Sequence, residues 1–212
     1  MFGSFLLLVR LIVERVNKTA LLERSGSMEN GASSYRRFLD GDDSGFVEIV
    51  KAYKDGLIFF LDSIVRNAHV AEELMEETFV KLIYKKPRFS GNSSFKTWLY
   101  AIARNIAIDW LRKSGRNSPT SLEEVANYLP DEADLEREYL REEQKIAIHR
   151  AMRRLKPDQN QALYLVFFED LSNAEVATIM KKSKRQIEKL IYHAKRALKT
   201  ELNKEGIFNE EL

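Results

Sequence analysis

Apolar residues recur at helical spacing along most of this chain. Phe46, Ile49, Val50, Tyr53, Leu57, Phe60, Leu61, Ile64 and Val65 form one stripe. Asp42, Asp43 and Ser44 stand ahead of it as caps for a helix beginning near Gly45, and Asp55-Gly56 predicts a break into two helices. Leu74, Phe79, Val80, Leu82 and Ile83 predict a helix from about Val70 to Lys85, ended by Pro87. Ser90 to Ser94 reads as a loop. Phe95 to Lys113 reads as one long helix, with Phe95, Leu99, Ile102 and Ile106 inward and Trp98, Ile108 and Trp110 widening the stripe. Strand-period alternation of useful length and internal repeats are both missing.

The pattern changes after Ser114. Gly115, Ser118, Pro119 and Pro130 break helices, and nine acids between Thr120 and Gln144 face only Arg137 and Arg141. The expected fold class is all-α, with two small helical lobes joined by an acidic linker. The expected boundaries are an N-terminal extension at 1–34, a first lobe at 35–116, the linker at 117–138 and a second lobe at 139–204.

The second lobe ends in a helix-turn-helix. Ser172 and Glu175 make a capping box ahead of Val176, Ala177, Ile179 and Met180. Ser183 offers a second cap, followed by Ile187, Leu190, Ile191, Ala194 and Leu198 at helical spacing. The opposite face is basic. Between Leu171 and Leu202 eight bases meet three acids, roughly +5 in a chain whose total is +2. A short helix, a turn and a basic helix place a recognition helix in the DNA major groove. Lys184, Arg185, Gln186 and Glu188, with Ser183 ahead of them, lie where base edges are read, Gln186 being suited to adenine. Lys189, Tyr192, His193 and Arg196 lie further along the same face, and Lys189, His193 and Arg196 are placed for phosphates.

Composition narrows the chemistry. Apolar content of 44% supports real cores, and charged content of 31% supports a water-exposed surface. There is no cysteine, which excludes disulfides and thiolate chemistry. His69, His149 and His193 form no ligand pattern, so neither a metal nor a cofactor is expected. The apolar run from Phe5 to Val13 is interrupted by Arg10, too short to span a bilayer and unlike a secretory signal. It fits an amphipathic surface helix or a start codon assigned too early, Met28 opening a second start.

Two segments of the first lobe carry a family resemblance. Ala71-Glu72-Glu73-Leu74-Met75-Glu76-Glu77-Thr78-Phe79-Val80-Lys81 resembles the core-polymerase-binding segment of bacterial sigma factors. Phe95 to Arg112, FKTWLYAIARNIAIDWLR, resembles the promoter-reading helix that follows it. Leu155-Lys156-Pro157, then Leu171-Ser172 with Glu175-Val176-Ala177, resembles the reader of the upstream promoter element. The order and separation match from about Gly45 to Leu202. The compact form, with regions two and four alone, looks like the extracytoplasmic-function group.

The resemblance implies a cytoplasmic, non-enzymatic sigma factor. Its implied partners are core RNA polymerase (the clamp of the largest subunit and the flap of the second), promoter DNA and an anti-sigma factor, with no small-molecule substrate. It implies polymerase contacts from Glu72, Glu73, Leu74, Glu76, Glu77 and Phe79. The family usually carries Asp at Glu73 and Gln at Glu76. It implies downstream-element contacts from the loop at Asn92, Ser93 and Ser94. Lys96, Tyr100, Arg104, Asn105, Arg112 and Lys113 present cations and polar groups on the helix beside that loop. Trp98 and Trp110 fit either core positions or wedges between bases. Glycine and an apolar residue are common in the family where Lys181 and Lys182 stand, so a non-glycine is expected in a left-handed turn. Two rival readings are a stand-alone helix-turn-helix regulator and a polymerase-docking adaptor that never opens DNA.

Overall fold

The computed structural model describes residues 30–115 and 148–204. The acidic linker, the apolar run near the N-terminus and the expected start of the second lobe at 139–147 lie outside the described residues. Seven helices have both ends among the described residues. They are α1 (Asn30–Leu39), α2 (Asp43–Val65), α3 (Ala68–Lys85), α4 (Phe95–Lys113), α5 (Pro157–Phe167), α6 (Asn173–Met180) and α7 (Lys184–Lys204). Residues 148–153 are helical as well, and no strand occurs among the described residues.

Helix α2 is the hub of the N-terminal lobe, with α1, α3 and α4 packed on it. Its inward positions Ile49, Tyr53, Leu57, Phe60, Leu61 and Ile64 are the stripe legible in the sequence. The Asp42 carboxylate caps α2 by accepting from the Ser44 amide at 3.0 Å. Asn67 does the same for α3 through the Val70 amide at 3.0 Å, so α3 starts two residues before Val70. Ser94 caps α4 through the Thr97 amide at 3.1 Å.

Two sequence expectations change here. Helix α2 runs unbroken through Asp55-Gly56. A glycine inside a helix costs about 1 kcal/mol, but here it creates space. A Cβ on Gly56 collides with the Tyr100 hydroxyl and the Glu169 carboxylate. The first lobe also begins earlier than residue 35. Ser34 is buried, and a Cβ on Gly31 runs into Tyr53 and Phe95, so residues 30–34 are part of the packed helix α1.

In the C-terminal lobe α5, α6 and α7 pack on one another. Ile187, Ile191, Ala194, Leu198 and Leu202 are the buried face of α7. The two lobes are in contact: α5 packs on α2, and α6 packs on α4. Arg153 Nη2 holds Asp62 Oδ1 at 2.7 Å, and the Tyr164 hydroxyl lies 3.2 Å from the Gly56 carbonyl. Phe59, His149 and Phe168 stack across the same boundary.

Candidate polymerase and nucleic-acid interfaces

On α3 the residues Glu72, Glu73, Glu76 and Glu77 are all exposed. Glu73 Oε1 lies 3.4 Å from His69 Nε2 one turn earlier. Leu74 and Phe79 differ from the expectation of surface contacts. They are 2% and 6% exposed, because they occupy the stripe of α3 that faces α2. Phe79 meets Phe46 edge-on, with ring centroids 6.0 Å apart. Residues that sequence reasoning missed lie on the other side. Glu73, Glu77, Val80 and Tyr84 follow i, i+4, i+7, i+11 and so line one stripe. Val80 is 47% and Tyr84 79% exposed, which extends the acidic patch with two apolar side chains. The spacing is the available signal; in the sequence Val80 reads only as one of the apolar positions that predict the helix.

The second cluster surrounds the start of α4. Asn92, Arg112 and Lys113 are exposed, and Ser93 and Asn105 are half-buried. Ser94 donates to Glu175 Oε1 at 3.0 Å. Lys96 Nζ reaches Glu169 Oε2 at 2.7 Å. Arg104 Nε donates to Gln161 Oε1 at 3.2 Å, and burial pulls its guanidinium below the ordinary value, against the opposing pull of Asp158. Tyr100 differs from the expected surface role. It is fully buried, its ring 5.2 Å from that of Phe60, because its position on α4 faces α2. Trp98 packs among Tyr35, Phe89 and Phe95 with centroids 5.3–5.4 Å apart, which is the core position of its two readings.

The third cluster is the outer face of α7. Ser183, Lys184, Arg185, Gln186, Glu188, Lys189, Tyr192, His193 and Arg196 are all exposed. The turn before them is the one the sequence expected to be unusual. Lys181 adopts φ 54°, ψ 45°, left-handed, and Lys182 Nζ pairs with Asp158 Oδ2 at 3.0 Å. The Ser183 hydroxyl accepts from the Gln186 amide at 3.2 Å, and Gln186 Oε1 accepts from the Ser183 amide at 2.8 Å. This reciprocal cap starts α7. It also occupies the side-chain oxygen that Gln186 needs for a bidentate adenine contact. Lys195 lies over the Phe167 ring at 5.2 Å, and burial lowers its pKa. Among the described residues no group of His, Asp and Glu forms a metal site, and no helix is long and apolar enough to cross a membrane.

Comparison with known proteins adds the family. Residues 49–117 match Sigma-70 region 2, and residues 145–198 match Sigma-70 region 4. The RNA polymerase sigma-H factor of Pseudomonas aeruginosa is 31% identical over 180 residues, covering 81% of this chain and 93% of that protein. The ECF RNA polymerase sigma factor SigX of Bacillus subtilis is 28% identical, covering 79% of this chain and 89% of that one. The chain belongs to the extracytoplasmic-function group of the sigma-70 family. As a sigma factor it directs promoter-specific transcription initiation by RNA polymerase. Matches in both lobes do not favour the stand-alone regulator. The solved sigma factor RpoE of Bartonella quintana, in complex with the anti-sigma factor NepR, superposes with a TM-score of 0.60 at 25% identity. That alignment covers 74% of this chain and 96% of RpoE. The region-two match takes in most of α2 with α3 and α4, and the region-four match takes in residues 148–153 with α5, α6 and most of α7. Helix α1 precedes the matched segment, although its side chains complete the core of region two.

Proposed function

We propose that the sigma factor divides its work among three faces. The exposed stripe of α3, with Glu72, Glu73, Glu76, Glu77, Val80 and Tyr84, docks on the clamp of the largest polymerase subunit. The Asn92–Ser94 loop and the cations of α4 take the opened downstream element, where unstacked bases and phosphates need polar and cationic partners. The outer face of α7 reads the upstream element, with Lys184, Arg185 and Glu188 on base edges and Lys189, His193 and Arg196 on phosphates. The observation that carries this reading is the exposure of Lys184, Arg185, Lys189, His193 and Arg196 on α7 behind a capped turn. Region four also meets the flap of the second subunit. The chain performs no catalysis of its own and works in the cytoplasm. An anti-sigma factor holds it in reserve; RpoE, its relative at 25% identity, is solved with NepR bound.

Run-off transcription tests the proposal. Core polymerase with this chain yields a promoter-dependent transcript from a native upstream fragment. No transcript from any such fragment overturns it.

A further inference from the structure

Three acids lie in the helix-turn-helix segment from Leu171 to Leu202, and two of them are engaged. Glu175 closes the cap of α6 and accepts from Ser94 and Thr97, each at 3.0 Å. Glu201 pairs with Lys204 at 2.7 Å and with Arg154 at 3.9 Å. Glu188 is exposed, and among the described residues its carboxylate meets neither a cation nor a hydrogen-bond donor.

The spacing explains why. Lys184 and Arg185 stand four and three residues before Glu188, and the residues three and four beyond it are Ile191 and Tyr192. An acid that follows its cation along a helix pairs more weakly than one that precedes it. Where the acid comes first, the pair forms: Asp109 holds Arg112 at 3.2 Å, as Glu201 holds Lys204. Glu188 therefore stands as an unneutralised anion beside Lys184, Arg185 and Lys189, all exposed with it. Gln186, the other non-cationic reader in this stretch, has its side-chain oxygen held by the Ser183 amide at 2.8 Å.

A carboxylate near phosphates weakens the grip on any duplex, and it regains that loss only from a donor. It offers acceptors alone. In the major groove guanine shows two acceptors, thymine an acceptor and a methyl group, and adenine an amine beside the N7 acceptor. Cytosine shows its N4 amine with no acceptor on its own edge.

We infer that Glu188 selects a cytosine in the upstream element: its carboxylate accepts from the N4 amine and is repelled by the acceptor edges of the other bases. This rests on the assignment of α7 to the upstream element and adds the base which that face demands. The selection works by exclusion as much as by attraction. Glu188 lowers the affinity for every duplex and lowers it least at cytosine.

The test uses holoenzyme, the full chain with core polymerase, on a native fragment that supports run-off transcription. Each base pair of the upstream segment that holoenzyme protects is replaced by the other three, and fluorescein-labelled duplexes of this panel are the probe. Wild type is expected to prefer cytosine at one position by about fivefold to tenfold, the low end for a base contact. Glu188→Ala is expected to erase that preference and to bind a duplex lacking the element more tightly. Glu188→Gln is expected to move the preference to adenine, whose N6 and N7 take an amide bidentately. An even gain on all sequences from Glu188→Ala, with the cytosine preference kept, makes Glu188 a charge-balancing group and overturns the inference. A wild-type preference for another base at the position where Glu188→Ala acts also overturns it. If Glu188→Ala fails to assemble with core polymerase, Glu188→Gln keeps the shape and is read alone, absence of the move to adenine being the overturning result. Arg185→Ala is measured on the same panel. If it changes binding while Glu188→Ala does not, the inference fails and the upstream assignment stands; if neither changes binding, the assignment of α7 fails with it.

Discussion

Lys96 and Glu169 form an ion pair between the two lobes, Nζ to Oε2 2.7 Å, with the carboxylate 2% and the ammonium side chain 22% exposed. The pair is satisfied on both sides, since Glu169 Oε1 also accepts from Tyr164 at 3.0 Å. Removing one member leaves a charge without its partner in a dry site. Lys96→Ala is expected to cost about 3 kcal/mol, the low end for a buried pair because Lys96 keeps some water. Urea unfolding of the full chain measures it, and a wild-type midpoint would remove the pair from the stability of the chain.

Glu73→Lys with Glu77→Lys reverses charge on an exposed stripe of α3. The fold is expected to survive and the affinity for core polymerase to drop about tenfold or more through like-charge repulsion at the clamp. Leu74→Ala, one residue away, is expected to do something different and cost about 2–5 kcal/mol of stability, because it empties a core position. Equal core affinity in the charge-reversed chain excludes these acids from the interface.

Arg185→Ala is expected to cost about 1–3 kcal/mol at a single upstream base position, as loss of a bidentate guanine contact does. Lys189→Ala is expected to weaken all sequences alike and to lower the salt slope by about 1. Titration of holoenzyme against upstream-element variants separates the two patterns. A uniform loss for Arg185→Ala makes it a phosphate contact.

Lys181→Gly removes a left-handed non-glycine from the turn between α6 and α7. The relief is about 1 kcal/mol, partly offset by the greater freedom of glycine in the unfolded chain. Thermal unfolding is expected to shift upward slightly. A clear downward shift shows that the Lys181 side chain contributes more than its backbone costs.

Burial pushes the Tyr35 hydroxyl up to about 12, and it donates to the Pro87 carbonyl at 2.8 Å. The folded state therefore favours the neutral phenol. Its contribution is complete below the ordinary value of 10.0 and is lost as pH rises from there towards 12. Tyr35→Phe is expected to lose about 1 kcal/mol at neutral pH with the hydrogen bond. It is also expected to flatten the alkaline fall in melting temperature relative to wild type. Parallel curves above pH 10 place the alkaline loss on other groups.

The elements were legible where burial is one-sided. The stripes of α2 and α7 and the full length of α4 follow from apolar spacing, since each helix has one dry face. Gly56 misled for a physical reason. Asp-Gly is a turn signal in isolation, but here the missing side chain is filled by Tyr100 and Glu169, residues 44 and 113 positions away. Tyr100 misled similarly: between Lys96 and Arg104 it reads as one more polar group on the helix surface, and only the packing of α4 on α2 shows that it points inward. Glu169 and Glu175 gave no signal of a role between lobes. Glu175 was legible as a cap, and burial works against its charge. Bonds from Ser172, Ser94 and Thr97 outweigh that and hold its carboxyl below the usual range. The last two donors come from a segment about 80 residues earlier, beyond the reach of local pattern.

Helix α1 lies wholly before residue 49, where the region-two match begins. Tyr35 nonetheless sits against Phe95 and Trp98, with centroids 5.6 and 5.3 Å away. A fragment trimmed to the matched boundary would strip the cover from this aromatic cluster and leave Tyr53 and Phe95 wet. Its insolubility would then reflect where it was cut rather than any instability of the lobe.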